Sequence, residues 1–316
     1  MTNKIKKKKK YTPLRSQIHV DTLLSNVSVL YRNESYIGME IFPEVQVKKT
    51  SDLFRVYERN FRTPESLRAN RGVANEWTFN VSNSTYNLEK HALKDYISDD
   101  DAENYDLNSL EVDTTEHLTD AILRRFEKSV ASLITTTSWS LNLSLTSTLA
   151  WNATTGSSSP DPVAQFDTAT VSVVTNSGKR PNITGMGLTA WNALKNNFQI
   201  NDRVKYTSSE VSMNMVAKLI GTGKLVVSEQ VEDTADEGSS TGSNIVALWN
   251  DRVFHGYRPP NAGPKQPSAG YTFRKSTPMV KKWRDEDRES QVVEVGMMYQ
   301  PRVVASLCGF IIADVY

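Results

Sequence analysis

Four stretches of this sequence hold the residue types that chemistry uses. Gly221-Thr-Gly-Lys224 ends like a phosphate-binding loop, in which backbone N–H groups cradle phosphate and a lysine neutralises it. That pattern needs a glycine where Lys218 stands and a Ser or Thr where Leu225 stands. A helix end running into a strand also reverses the strand-to-helix order, so nucleotide binding is set aside. Asp99, Asp100, Asp101, Glu103 and Asp106 could collect a cation, but a calcium loop needs Gly at Asn104 and Glu at Leu110. The cluster reads as a solvated acidic patch facing a basic neighbour. His19, His91, His117 and His255 are scattered, without the local spacing of a metal pair, and nothing marks one of them as the base of a serine nucleophile. Cys308 is the single cysteine, which excludes an intrachain disulfide and a cysteine-based zinc site. It lies in the apolar run from Val303 to Val315 and reads as a buried, inert thiol. No catalytic site, metal site or cofactor is expected.

The fourth stretch is electrostatic. The chain has 37 basic and 36 acidic residues, unevenly placed. Lys4, Lys6, Lys7, Lys8, Lys9, Lys10 and Arg15 occur in the first fifteen residues without an acid; subtracting those seven leaves 30 basic against 36. A basic arm on a mildly acidic body suits a polyanion, and its lysines would release counterions on meeting nucleic acid, with salt-sensitive and sequence-blind attraction. A solubilising tail and a contact with acidic patches on neighbouring subunits are the other readings of the arm. No base-reading motif accompanies it. No stretch approaches the roughly 20 apolar residues of a membrane span, and no apolar segment follows the first charges as in a secretory signal.

The elements that would position these residues follow from periodicity. Residues 1–48 read as an arm that must lie on another surface, closing in a strand from Met39 to Val47. Leu53–Arg62 and Glu76–Tyr86 read as two strands, the second with Trp77, Phe79 and Val81 on one side. Between them lies a polar, basic tip containing Pro64, Arg68, Arg71 and Gly72. A long isolated hairpin is barely stable in water, so this one needs a partner surface. Asp113-Thr-Thr-Glu116 then caps a helix running to Thr137, with Leu118, Ile122, Phe126, Val130 and Leu133 as its apolar stripe. Past the Gly156-Ser-Ser-Ser159 linker the pattern turns α/β. Asp161-Pro162 starts a helix that ends near Gly178, and Ile183–Leu188 is a strand. Thr189 caps a helix to Asn197, and Ser208–Ile220 is another helix. Lys224–Val231 and Asn244–Trp249 are expected as buried strands. The closing strands are Gln291–Tyr299 and Arg302–Val315, broken at Pro301.

This order of parts resembles the tailed-bacteriophage major capsid proteins, the Hong Kong 97-like fold family. The resemblance is most specific over residues 36–137. There Tyr36-Ile-Gly-Met-Glu-Ile-Phe-Pro43 leads into Phe54-Arg-Val-Tyr57, Phe61-Arg-Thr-Pro-Glu-Ser-Leu-Arg-Ala69, Tyr86-Asn-Leu-Glu-Lys-His-Ala-Leu-Lys-Asp95 and Ile97-Ser-Asp-Asp-Asp101. Over 160–316 the match is one of layout, with Ile183–Leu194 the most family-like piece.

The resemblance implies an α+β fold with an N-terminal arm (1–48) and an extended hairpin loop (49–97). It implies a peripheral domain with a long spine helix (98–154 and 278–302) and an axial α/β domain (155–277 and 303–316). It also implies a structural protein and no enzyme: a subunit that assembles as hexamers and pentamers into an icosahedral shell around double-stranded DNA. Assembly would occur in the host cytoplasm, with separate scaffold, portal and decoration proteins as partners and no membrane. Phe61, Arg62, Arg68, Arg71 and Trp77 are the expected subunit contacts, and Lys4, Lys6, Lys7, Lys8, Lys9 and Lys10 the expected contacts to polyanion or neighbour. The competing readings are an encapsulin-like compartment shell, a nucleic-acid-binding protein using the lysine arm, and an α/β enzyme.

Overall fold

The computed structural model describes residues 19–20, 36–57, 61, 63–68, 70–78, 81–104, 110–136, 139–153, 159–205, 211–235, 244–263, 266–275 and 278–316. The lysine arm and Arg62 lie outside these residues. The elements begin with β1 (His19–Val20), α1 (Gly38–Ile41), β2 (Glu44–Gln46), β3 (Ser51–Tyr57), β4 (Val81–Asn87) and β5 (Glu89–Ser98). Then come α2 (Asp99–Glu103), α3 (Leu110–Thr136), β6 (Asn142–Ser144), α4 (Pro162–Ser177), β7 (Ile183–Gly187), α5 (Leu188–Asn196), α6 (Phe198–Val204) and α7 (Met213–Leu219). The chain closes with β8 (Lys224–Ser228), β9 (Val231–Asp233), β10 (Ile245–Ala247), β11 (Val253–Gly256), β12 (Gly270–Arg274), β13 (Met279–Asp285), β14 (Ser290–Val303) and β15 (Gly309–Ala313). It divides into two compact units, and α3 and β14 contribute to both.

The first unit contains Lys90–Ile122 and Ser276–Met298. Its frame is the antiparallel pair β13–β14, from Asp285↔Ser290 to Met279↔Gly296, turning through Glu289 at φ 46°. β1 adds to the β13 edge through His19↔Lys282, and β5 pairs with β14. The described part of the acidic cluster is accounted for here; Asp106 lies outside the described residues. Ser98 caps α2 by accepting from the Asp101 amide, and Asp99 takes a two-pronged bond from Arg284 at 2.5 and 2.6 Å. That guanidinium holds the Asp99 carboxyl below the usual carboxylate range. Lys282 pairs with Glu111 on the first turn of α3, and Lys281 with Glu294. Among the described residues no group of acids, histidines or cysteines could hold a metal ion.

The second unit contains Asn33–Glu89, Leu123–Lys275 and Tyr299–Tyr316. Its sheet runs β6-β15-β11-β7-β8, with β11 antiparallel to β15 and β7, while β6–β15 and β7–β8 are parallel. Every side chain of β7, β11 and β15 is buried, as in a sheet covered on both faces. Phe166 and Val173 from α4, Leu194 from α5, Val216 from α7 and Ile312 from β15 share one core. α4 forms as its sequence directs. Asp161 caps it through the Val163 amide, Pro162 opens it, and Gly178 closes it at φ 62° with its N–H on Val174 O. His255 is fully buried between Thr184 Oγ1 at 2.8 Å and Thr170 Oγ1 at 3.0 Å, so it is a satisfied structural residue.

Several expected boundaries move. Met39–Ile41 belongs to a helical turn, and only Glu44–Gln46 is strand. α3 begins at Leu110, one turn before Asp113, and its stripe ends on fully buried Ile134 instead of Leu133. The cap of α5 is Gly187, and Ser212 caps a shorter α7. The expected buried strand Lys224–Val231 forms as β8, paired with β7 and ending at Ser228, whereas Asn244–Trp249 yields only β10, which pairs with β9 in a two-stranded ribbon that leaves Ile245 and Val246 exposed. Pro301 does not break β14: it sits opposite Thr272, and the flanking pairs Tyr271↔Arg302 and Phe273↔Gln300 carry the ladder past one missing donor. The break falls instead at the turn Ser306–Cys308, where Cys308 is buried.

Candidate assembly interface

The hairpin begins as an ordinary antiparallel ladder, Ser51↔Asn87 to Tyr57↔Val81. Its base is held by aromatic packing. Tyr86 stacks on Phe273 at 4.7 Å, Phe54 tilts against the same ring at 5.1 Å, and Val45 and Leu88 close the cluster. The Asn87 amide donates to Gln300 Oε1 at 2.8 Å. Aromatic pairs of this kind are each worth ~0.5–1.5 kcal/mol beyond burial, which helps to fix where the hairpin leaves the body.

The second strand is shorter than its sequence suggests. It begins at Val81, so Trp77 lies before it, and Phe79 is outside the described residues. The tip folds on local bonds: Arg68 Nε donates to Gly72 O, Asn75 Nδ2 to Glu65 O at 2.8 Å, and the Leu67 amide to Glu65 Oε1. Arg71 adopts φ 63°, the left-handed turn that follows. Phe61 is 60% exposed, Trp77 46%, Leu67 85% and Val73 93%, and Arg68 and Arg71 are exposed as well. Leu67 and Val73 were not singled out from sequence; the available signal was two aliphatic residues inside a polar tip. Exposed large apolar groups beside guanidinium donors have the composition of a protein-binding surface, where Arg and aromatic residues are enriched.

One structural tie escaped the sequence reading altogether. Glu127 on α3 is wholly buried. Its Oε2 accepts from the Gly38 amide at 2.7 Å, and its Oε1 accepts from the Ile37 amide at 3.2 Å and the Trp249 indole at 2.6 Å. One side chain thus caps the turn α1 and ties the segment leading into the hairpin to the long helix. Desolvation raises its carboxyl above the ordinary range even though the three donors oppose the shift. The signal was a carboxylate on the apolar face, between Phe126 and Val130.

No protein-family model matches the chain. The major capsid protein of Burkholderia phage BcepMu is 26% identical over 307 residues, covering 94% of this chain and 96% of that protein. From end to end, this chain resembles a phage major capsid protein. The solved structures agree at the level of fold. A phage-related protein from Bordetella bronchiseptica RB50 superposes with a TM-score of 0.74 at 20% identity, over 94% of this chain and 97% of its own. The capsid of cyanophage P-SCSP1u gives 0.61 at 14% identity, over 90% and 89%. The fold is therefore an α+β phage-capsid fold, and the hairpin and buried Glu127 belong to a capsid-like chain.

Proposed function

We propose that this chain is a major capsid protein, the repeated subunit of an icosahedral shell around the double-stranded DNA of a tailed phage. The observation that carries this reading is the end-to-end similarity to a phage major capsid protein, on a chain whose folded hairpin displays apolar and basic groups outward. In this reading residues 49–97 are the extended loop over a neighbouring subunit, with Phe61, Arg62, Arg68, Arg71 and Trp77 as contacts. Residues 98–154 and 278–302 form the peripheral domain at threefold axes; 155–277 and 303–316 form the axial domain around fivefold and sixfold centres. The arm (1–48) meets packaged DNA or a neighbour through Lys4 and Lys6 to Lys10.

The protein acts by assembly and not by catalysis. Each copy offers two different surfaces to its neighbours, so contacts are head-to-tail and close into rings when the rotation closes. Individually weak contacts add through multiplicity, which lets a shell form reversibly and still persist. Scaffold, portal and decoration proteins are the expected partners, assembly takes place in the host cytoplasm, and the finished subunit resides in the virion. Sedimentation velocity of the purified chain tests this: capsomer- and shell-sized species support it, and a single monomer at every concentration contradicts it.

A further inference from the structure

Within the second unit a cleft of about 490 Å³ opens beside α5 and α6. We propose that it binds a neutral saccharide. Its lining contains no charged side chain. Thr189, Asn192 and Asn196 stand three and four residues apart and so share one face of α5, and Asn152 and Asn201 line the same cleft. Within the described residues, the side chains of Asn152, Thr189, Asn192 and Asn196 are free of hydrogen-bond partners.

The framework beneath them is fixed. Buried Asn197 donates to the Trp151, Pro160 and Ser159 oxygens and accepts from the Gln199 amide, and Asn201 Nδ2 is held by the Lys195 and Asn197 carbonyls. The cleft therefore presents uncommitted amides on a rigid floor. Phe198 and Tyr316, both exposed aromatic residues, line it as well.

This combination selects a chemistry. Each amide presents a donor and an acceptor together, which matches hydroxyl groups that do both. Aromatic faces receive the apolar C–H face of a pyranose. The absence of a cation from the lining argues against phosphate, nucleic acid or an acidic polymer, which need charge neutralisation. A volume of this size accommodates one or two sugar rings and falls in the usual range for small-ligand sites.

The test is saturation-transfer difference NMR on the purified full chain with the methyl glycosides of glucose, galactose and N-acetylglucosamine. The expected result is saturable transfer to the ring protons of at least one glycoside, weakened about tenfold in Asn192→Ala/Asn196→Ala, which removes two exposed hydrogen-bonding groups. A Val171→Thr change on the exposed side of α4 should leave it unaltered. Soluble polysaccharide of the same sugar distinguishes a surface-polymer source, which binds more tightly, from a free sugar, which does not. No saturable transfer with any glycoside, or transfer unaffected by the double variant, overturns the proposal. Protection of Tyr316 from hydroxyl-radical footprinting on assembly, with loss of glycoside binding, overturns it in favour of a neighbouring protein segment.

Discussion

The Glu127 carboxyl Oε2 accepts a hydrogen bond from the Gly38 amide, N···O 2.7 Å, across 89 residues of chain. It holds three buried donors together, including the Trp249 indole. Each buried donor left unsatisfied costs ~1–3 kcal/mol, so Glu127→Ala should destabilise the chain by about 3 kcal/mol or more, read from urea midpoints. Because burial raises the folded pKa, the group's contribution is fully present below the unfolded value and declines as pH rises through the folded one. The stability of the wild type relative to Glu127→Gln should therefore fall as pH is raised above about 4.3. A pH-independent difference contradicts this.

His255 has the opposite sign. Burial lowers its pKa from 6.5 to about 4. Its contribution is present above the unfolded value and is lost as pH falls from about 6.5 towards 4, a loss of up to ~3 kcal/mol at ~1.4 kcal/mol per unit. His255→Gln should remove most of that acid sensitivity while keeping a hydrogen-bonding side chain between Thr170 and Thr184. Thermal midpoints at pH 4.5 and 7 compare the two.

At Gly187 a side chain has no room, since an added Cβ would lie 2.2 Å from the Trp249 carbonyl oxygen. Backbone must move to admit it, and overpacking of this kind costs ~1–3 kcal/mol. Gly187→Ala should lower the thermal midpoint measurably; an unchanged midpoint means that the strand-to-helix turn yields more readily than its packing implies.

The hairpin tip separates folding from assembly. Phe61→Ser/Trp77→Ser alters groups that are largely exposed, so the circular dichroism spectrum and thermal midpoint of the unassembled chain should stay within ~0.5 kcal/mol equivalent of wild type. Shell-sized species should fall sharply in sedimentation velocity. Arg68→Glu should act in the same direction and more strongly at low salt. Normal shells from both variants would remove the tip from the interface.

Much of this architecture was legible because local chemistry and tertiary context agree. Asp161-Pro162 and Gly178 mark both ends of α4, and the Leu118–Val130 stripe marks the long helix. Other elements were illegible for physical reasons. Met39–Ile41 alternates like a strand yet becomes a turn because Glu127, far along the chain, supplies its cap. Ile245 and Val246 have the composition of a buried strand, but among the described residues their ladder partner is the short β9, and both stay exposed. Pro301 looks like a break, yet neighbouring strand pairs carry the sheet across it. At the candidate interface Phe61, Arg68, Arg71 and Trp77 are exposed, whereas Leu67 and Val73 became apparent only from their exposure; Glu127, buried inside the subunit, became apparent only from its long-range bonds.

Electron microscopy of the purified chain, alone and co-expressed with its neighbouring genes, tests the shell assignment most directly. The account predicts closed, uniform icosahedral particles or their hexameric and pentameric precursors, with nuclease-protected DNA inside filled shells. Particles enclosing a protein cargo and no DNA would point to the compartment reading. A monodisperse monomer or dimer under every condition would contradict shell formation itself.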